Sequence, residues 1–140
     1  MNWEHSCGAV LYQLKNGEPY YILVEGSSGF GFPKGHMEAN ESEIQTAVRE
    51  IWEETGVQAV VDQSFCRSVE YPVLKKKDTC KKITFFIATY PEEETPSPRH
   101  EIKRMKNVPF DQAKELLWLD ELKTILDEAN KIICSRAERK

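Results

Sequence analysis

GHMEANESEIQTAVREIWEETGV, residues 35–57, crowds Arg49, Glu50, Glu53 and Glu54 onto one short segment and closes it with Gly56. Asn40 followed by Glu43 fits a capping box, and Gly56 fits the left-handed residue after a helix end, so the segment predicts a helix opening near Asn40. Ile44, Ala47, Val48, Ile51 and Thr55 recur at helical spacing and form one mostly apolar stripe. At about 100° per residue, Glu50, Glu53 and Glu54 share an arc of roughly 100° on the other side. The helix is expected to pack one face and present clustered carboxylates with the other.

Working outward, SCGAVLYQL and PYYILVEG flank Lys15-Asn16-Gly17-Glu18 and read as a hairpin, with Asn-Gly supplying the positive-φ turn. GSSGFGFPKGH follows, a glycine-rich loop whose bare backbone allows close approach to a ligand. Beyond the helix, VQAVVDQ, FCRSVEYPVL and KITFFIATY read as strands. PEEETPSPRHE reads as an exposed, mobile loop. From about Asp111 onward the chain reads as helical, its stripe of Leu116, Leu117, Leu122, Ile125, Leu126, Ala129, Ile132 and Ile133 marking core. Strands around an internal helix, with helices again at the end, predict an α/β sandwich: a mixed sheet covered on both faces. With 140 residues and no internal repeat, the expectation is one domain spanning 1–140.

Composition narrows the function classes. A formal net charge of −4 argues against broad nucleic-acid binding. No apolar run approaches the roughly 20 residues of a membrane span. The opening MNWEHSCGAV lacks a basic stretch followed by an apolar one, so the expected compartment is the cytoplasm. Cys7, Cys66, Cys80 and Cys134 show no metal-type spacing and are expected to be reduced thiols, Cys7 and Cys134 as packing residues. Lys75, Lys76, Lys77, Lys81 and Lys82 form a local basic patch, either a docking place for an anion or a solvated loop.

Three acids on a turn and a half of helix repel one another by a few tenths of a kcal/mol per adjacent pair, roughly. A fully solvated face would tolerate that. A shared cleft would demand a counter-ion, and Mg²⁺ takes carboxylates, waters and phosphates together. The neighbouring glycine loop can offer carbonyls to metal and N–H groups to phosphate. The residues by themselves thus reach a divalent-metal site beside a polyphosphate-binding loop, with the solvated face as the alternative.

Gly35, five residues, Glu41, seven residues, then Arg49-Glu50-Ile51-Trp52-Glu53-Glu54-Thr55-Gly56-Val57 resembles a complete Nudix box. At about 7% per residue, its seven fixed identities would coincide by chance about once in 10⁸ positions, which removes the solvated-face alternative. The segment from Ser6 to Glu41, with Pro33-Lys34-Gly35-His36, and Arg99-His100-Glu101 further on, are similar to asymmetrical diadenosine tetraphosphate hydrolases. The resemblance implies a Nudix-type α/β/α sandwich. It implies hydrolysis of a phosphoanhydride in a nucleoside polyphosphate, foremost asymmetric cleavage of diadenosine tetraphosphate to ATP and AMP. The alternative substrates are RNA 5′ ends, nucleotide sugars or inositol pyrophosphates.

Carried over residue by residue, the resemblance has Glu50, Glu53, Glu54 and the Gly35 carbonyl hold Mg²⁺ (or Mn²⁺). Arg49 orients a box carboxylate, and Glu41 supports the loop–helix junction. Glu101 is the loop candidate for activating water, beside a box glutamate. Lys34, His36 and Lys82 are the expected phosphate contacts. The family's base-stacking tyrosine falls at or near Arg104, a departure that weakens the dinucleoside reading, although a guanidinium plane also stacks on a base. The implied partner is a small nucleotide, with no nucleic acid beyond an RNA 5′ end and no membrane. A non-catalytic binding module is disfavoured by the intact acids. Nothing in the sequence speaks to oligomeric state.

Overall fold

The computed structural model describes residues 1–99, 102 and 104–138. In chain order the elements are β1 (Asn2–Lys15), β2 (Glu18–Gly26), β3 (Gly29–Gly31), β4 (Lys34–His36), α1 (Glu43–Thr55), β5 (Val60–Pro72), β6 (Thr79–Thr89), β7 (Met105–Pro109), α2 (Phe110–Leu116) and α3 (Asp120–Glu138). The strands form a mixed sheet in the order β3-β2-β1-β6-β5, with β4 on β1 and β7 on β2; β1 and β6 run parallel and the other pairs antiparallel.

β1 serves two partners on one side. Tyr12–Lys15 pair with β2 across the Asn16-Gly17 turn, whose φ values of 53° and 82° are those a tight primed turn needs. Ser6–Gly8 pair instead with β4. β2 has left by then, and the Pro33 carbonyl closes the gap onto the Ala9 amide at 3.3 Å. Gly8 is required at this crossing, because a Cβ there would lie 2.0 Å from the Pro33 oxygen.

Alternation along β1 and β6 divides the core. Val10, Ile83, Phe85 and Ile87 join the apolar stripe of α3 on one face; Cys7, Ala9, Leu11, Phe86 and Ala88 meet Ala47 and Ile51 of α1 on the other. Burial on both faces explains why these strands read as nearly unbroken apolar runs. The result is the expected α/β/α sandwich with a mixed sheet, and the C-terminal stripe is core as predicted. Among the described residues, no helix is long and apolar enough to cross a membrane.

Four expectations are corrected. The helix begins at Glu43, and its cap is Ser42, which accepts from the Gln45 amide at 3.1 Å while the Gln45 side chain accepts from the Ser42 amide at 2.9 Å. Asn40 instead sits in the left-handed region at φ 69°. Ser42→Ala should therefore cost about 1 kcal/mol of unfolding free energy in a denaturant titration. Asn40→Gly should cost nothing, because glycine occupies that region without strain. VQAVVDQ and FCRSVEYPVL are one strand, β5, interrupted by a register shift between Asp62 and Arg67. The glycine-rich loop contains β3 and β4, and β7 was not foreseen.

The fourth correction concerns the proline-rich acidic stretch, which is not free of the body up to Arg99. Ser97 and Arg99 donate backbone N–H groups to the Thr55 and Glu54 carbonyls at 2.9 and 3.0 Å. Glu94 accepts from the Gln58 amide at 2.7 Å, and the Arg99 guanidinium lies 4.4 Å over the Trp52 ring. The stretch thus satisfies the open carbonyls at the C-terminal end of α1.

Candidate active site

Arg49 organises the acid-bearing face of α1. Its Nε and Nη2 donate to the two Glu41 carboxylate oxygens at 2.6 and 3.0 Å, a fork-on-fork pair. Nη2 also reaches the His36 carbonyl at 2.9 Å, and Nη1 reaches Glu50 at 2.9 Å and Glu53 at 3.2 Å. Glu38 stands 3.6 Å away. One guanidinium therefore faces four carboxylates, leaving a surplus of negative charge.

Glu41 precedes the helix instead of lying in its first turn. Arg49, the Glu38 amide and the Thr46 hydroxyl all donate to it and hold its carboxyl well below the usual range, at about 2. A depressed carboxylate pKa contributes stability that is complete above the unfolded value and lost as pH falls through the folded one. That contribution should fade only below about pH 4. Glu41→Gln should remove it, flattening the acid limb of an unfolding-versus-pH curve.

Glu50 and Glu54 behave oppositely, since burial pushes both upward, Glu54 to about 7. Glu54 turns toward β4 and accepts the Lys34 amide at 3.0 Å. Glu50 lies flat against Gly35, where a Cβ would fall 2.0 Å from its carboxyl carbon. Gly35 is thus bare for a reason of space. Two desolvated carboxylates gathered against the bare Lys34-Gly35 backbone form an all-oxygen donor set that suits a hard divalent cation.

From this acid cluster a cleft runs between β2–β4, β6 and the α2–α3 junction, lined by Lys34, Glu54, Tyr71, Lys81, Ile102 and Trp118 among others. Lys81 stands beside Lys34, and burial together with that second ammonium pushes its pKa down to about 8. Two neighbouring cations in a half-buried cleft are arranged for an anion. Tyr71 and Trp118 meet edge to face at 5.9 Å, forming an aromatic wall. The Trp118 amide is pinned to the Phe30 carbonyl at 3.1 Å.

Most of the expected residues come together here: Gly35, Arg49, Glu50, Glu53, Glu54 and Lys34. His36 is on the exposed rim, where burial of part of its ring and the charges of Lys81, Glu4, Lys34 and Lys76 act on it and together lower its pKa. Lys82 is not on the cleft; alternation along β6 turns it to the α1 face and gives its place to Lys81. Arg104 is committed elsewhere, paired with Glu25 at 2.6 and 3.1 Å and lying 5.3 Å over the Phe30 ring. His100 and Glu101 lie outside the described residues. The lysine patch is divided, with Lys75–Lys77 around the β5–β6 turn and Lys76 paired to Glu4 at 2.5 Å. Sequence reasoning counted Lys81 only within the basic patch and chose its neighbour Lys82 for the site, and it missed Tyr71 and Trp118.

The family model for the NUDIX domain matches residues 5–128, and the chain belongs to that family. It is 29% identical over 142 residues to the asymmetrical bis(5′-nucleosyl)-tetraphosphatase of Rattus norvegicus, covering 93% of this chain and 95% of that protein. Over 52 residues, 35% of this chain and 7% of that protein, it is 53% identical to mRNA decapping complex subunit 2 of Schizosaccharomyces pombe. Its fold matches that of a C. elegans Ap4A hydrolase binary complex with a TM-score of 0.85 at 21% identity, covering 94% of this chain and 98% of that one.

Proposed function

We propose that this chain is a metal-dependent hydrolase of nucleoside polyphosphates that cleaves diadenosine tetraphosphate asymmetrically, giving ATP and AMP. The observation that carries the reading is the juxtaposition of Glu54 with Lys34 and Lys81 in one cleft walled by Tyr71 and Trp118. It sets an acid cluster, a cationic floor and an aromatic wall in series, as a phosphate chain bearing a base requires. The near full-length likeness to the rat tetraphosphatase supports the same substrate class.

In this reading Glu50, Glu53, Glu54 and the Gly35 carbonyl hold Mg²⁺ or Mn²⁺. A divalent cation bound there neutralises phosphate oxygens and makes a bound water acidic enough to attack near neutral pH. Arg49 fixes the Glu50 and Glu53 carboxylates in place. Lys34 and Lys81 pair with phosphate oxygens further along the chain, with His36 at the rim. Tyr71 and Trp118 take the stacking role that the sequence had assigned to Arg104. Glu101 is the proposed loop base: Arg99, two residues before it, stacks on Trp52, and Ile102, directly after it, lines the cleft.

The proposal is tested by analysing products after incubation with diadenosine tetraphosphate and Mg²⁺. ATP plus AMP is the expected result. Two ADP would contradict asymmetric attack, and an intact dinucleotide beside a hydrolysed triphosphorylated RNA end would move the substrate to RNA.

A second test separates the neighbouring lysines. Lys81→Met should raise KM about tenfold or more, the worth of a hydrogen bond to a charged group. It should not weaken the fold, because it removes a half-buried ammonium that stands beside a second one. Lys82→Met should leave KM unchanged within about twofold.

A further inference from the structure

His5 and Cys7 are two residues apart on β1 and so project from the same face, the one that α1 covers. Glu43 stands in the first turn of that helix. The crossing of strand and helix sets the His5 Nε2 3.2 Å from a Glu43 carboxylate oxygen and 3.9 Å from the Cys7 Sγ. One donor atom from each of the three residues falls within 4.8 Å of the others. In a tetrahedral zinc site, with bonds of about 2.0 Å to N or O and about 2.3 Å to S, neighbouring N and O ligands sit about 3.3 Å apart and N and S about 3.5 Å. The first two separations come close to those values. A small rotation of the partly exposed Glu43 side chain shortens the third.

We propose that His5, Cys7 and Glu43 form a second metal site, distinct from the box, that takes a zinc-class transition metal and clamps the start of α1 to β1. The donor set is what separates the two sites. The box offers oxygen alone and suits hard cations, whereas a thiolate with an imidazole and a carboxylate selects zinc or cobalt over magnesium. His5 and Glu43 are partly exposed, so a solvent water would be available as the fourth ligand. Burial keeps the Cys7 thiol protonated, with its pKa pushed up to about 12, so that in the absence of metal it is a poor nucleophile; a coordinated metal displaces its proton. The Thr84 hydroxyl, 3.1 Å from the His5 Nε2, is the partner the ring surrenders when it turns to metal.

The site does not depend on the proposed hydrolysis, and its test has no enzymatic readout. Co²⁺ is titrated into the reduced full-length protein in excess Mg²⁺, which fills the oxygen site, and the near-ultraviolet sulfur-to-cobalt charge-transfer band is followed. The expected result is a band saturating at one equivalent, retained in Glu54→Gln and in a variant with Cys66, Cys80 and Cys134 all replaced by Ser, and lost in Cys7→Ser. Because Cys7 is buried and its replacement could disturb the fold, the partly exposed Glu43 provides a second reading. Glu43→Gln should weaken Co²⁺ binding by at least about tenfold, the lower bound of what losing even an outer-shell partner costs. No band at stoichiometric Co²⁺, a band that survives Cys7→Ser, or unchanged affinity in Glu43→Gln would overturn the proposal.

Discussion

Glu54→Gln should cut kcat on a hydrolysed polyphosphate about a thousandfold while leaving the metal-free protein as stable as the parent or more so. The loss follows from charge. A carboxylate that helps hold a divalent cation against phosphate supplies several kcal/mol of transition-state stabilisation, and each 1.36 kcal/mol is tenfold in rate, which together give roughly 10³. The amide of Gln matches the carboxylate in shape, and its oxygen can still accept the Lys34 N–H. Burial has already raised the Glu54 pKa to about 7, so folding favours its neutral form. A raised carboxylate pKa means that the folded state holds the proton more tightly than the unfolded one. Stability is then highest below the unfolded value near 4.3 and declines as pH climbs toward about 7. In EDTA, Glu54→Gln should accordingly gain on the parent between pH 4 and 7 and stay ahead above that. An active variant, or one less stable at pH 8, would contradict the placement of this charge.

Gly8→Ala should be the most damaging single methyl in the sheet, lowering Tm on the order of 10 °C, as a loss of about 3 kcal/mol would do. The added carbon would meet the Pro33 oxygen at 2.0 Å, the Lys34 Cβ at 2.5 Å and the Lys34 Cα at 2.8 Å. Two of these are backbone atoms and cannot swing aside, so β4 must lift from β1. Lifting β4 carries Lys34 and Gly35 away from α1 and disturbs the Glu54 and Glu50 contacts together. Activity should therefore fall with stability, even at temperatures where the variant stays folded. By contrast, Gly17→Ala in the first hairpin has nothing within 4 Å to strike and pays only for its positive φ. A thermal melt of both variants decides the ranking.

The acid-bearing face was legible because a helix converts fixed spacing into fixed direction, so Arg49, Glu50, Glu53 and Glu54 could be placed from their intervals alone. The start of that helix was not. Asn40 and Ser42 are both good caps, and the choice between them rests on a left-handed turn that pulls Asn40 out of the helix. The cleft was harder to read, since adjacent residues on a strand point to opposite faces. Lys81 and Lys82 are chemically identical, so only the register of β6 decides which one enters the cleft. Trp118 was invisible because its role comes from the break between α2 and α3, a point that the reading of the C-terminal stretch as helical did not locate. His5, Cys7 and Glu43 carry no interval of their own; a strand crossing under a helix makes them neighbours.

The interrupted register of β5 has a bearing on how readily a foreign strand could add to the sheet. β5 is the end strand of the sheet, 13 residues long, and a straight end strand of that length would offer a template to any passing chain. Between Asp62 and Arg67 the strand advances five positions while β6 advances two, from Ile87 to Phe85. The surplus swings Phe65 inward to the core, where the Arg67 guanidinium covers its ring at 4.5 Å. Asp62 is tied to Arg136 and Arg67 to Glu128, so charge stands on both sides of the kink. What a foreign strand meets is two short, offset pieces with ionised side chains between them. The kink that completes the core also makes the edge a poor surface for fibril growth.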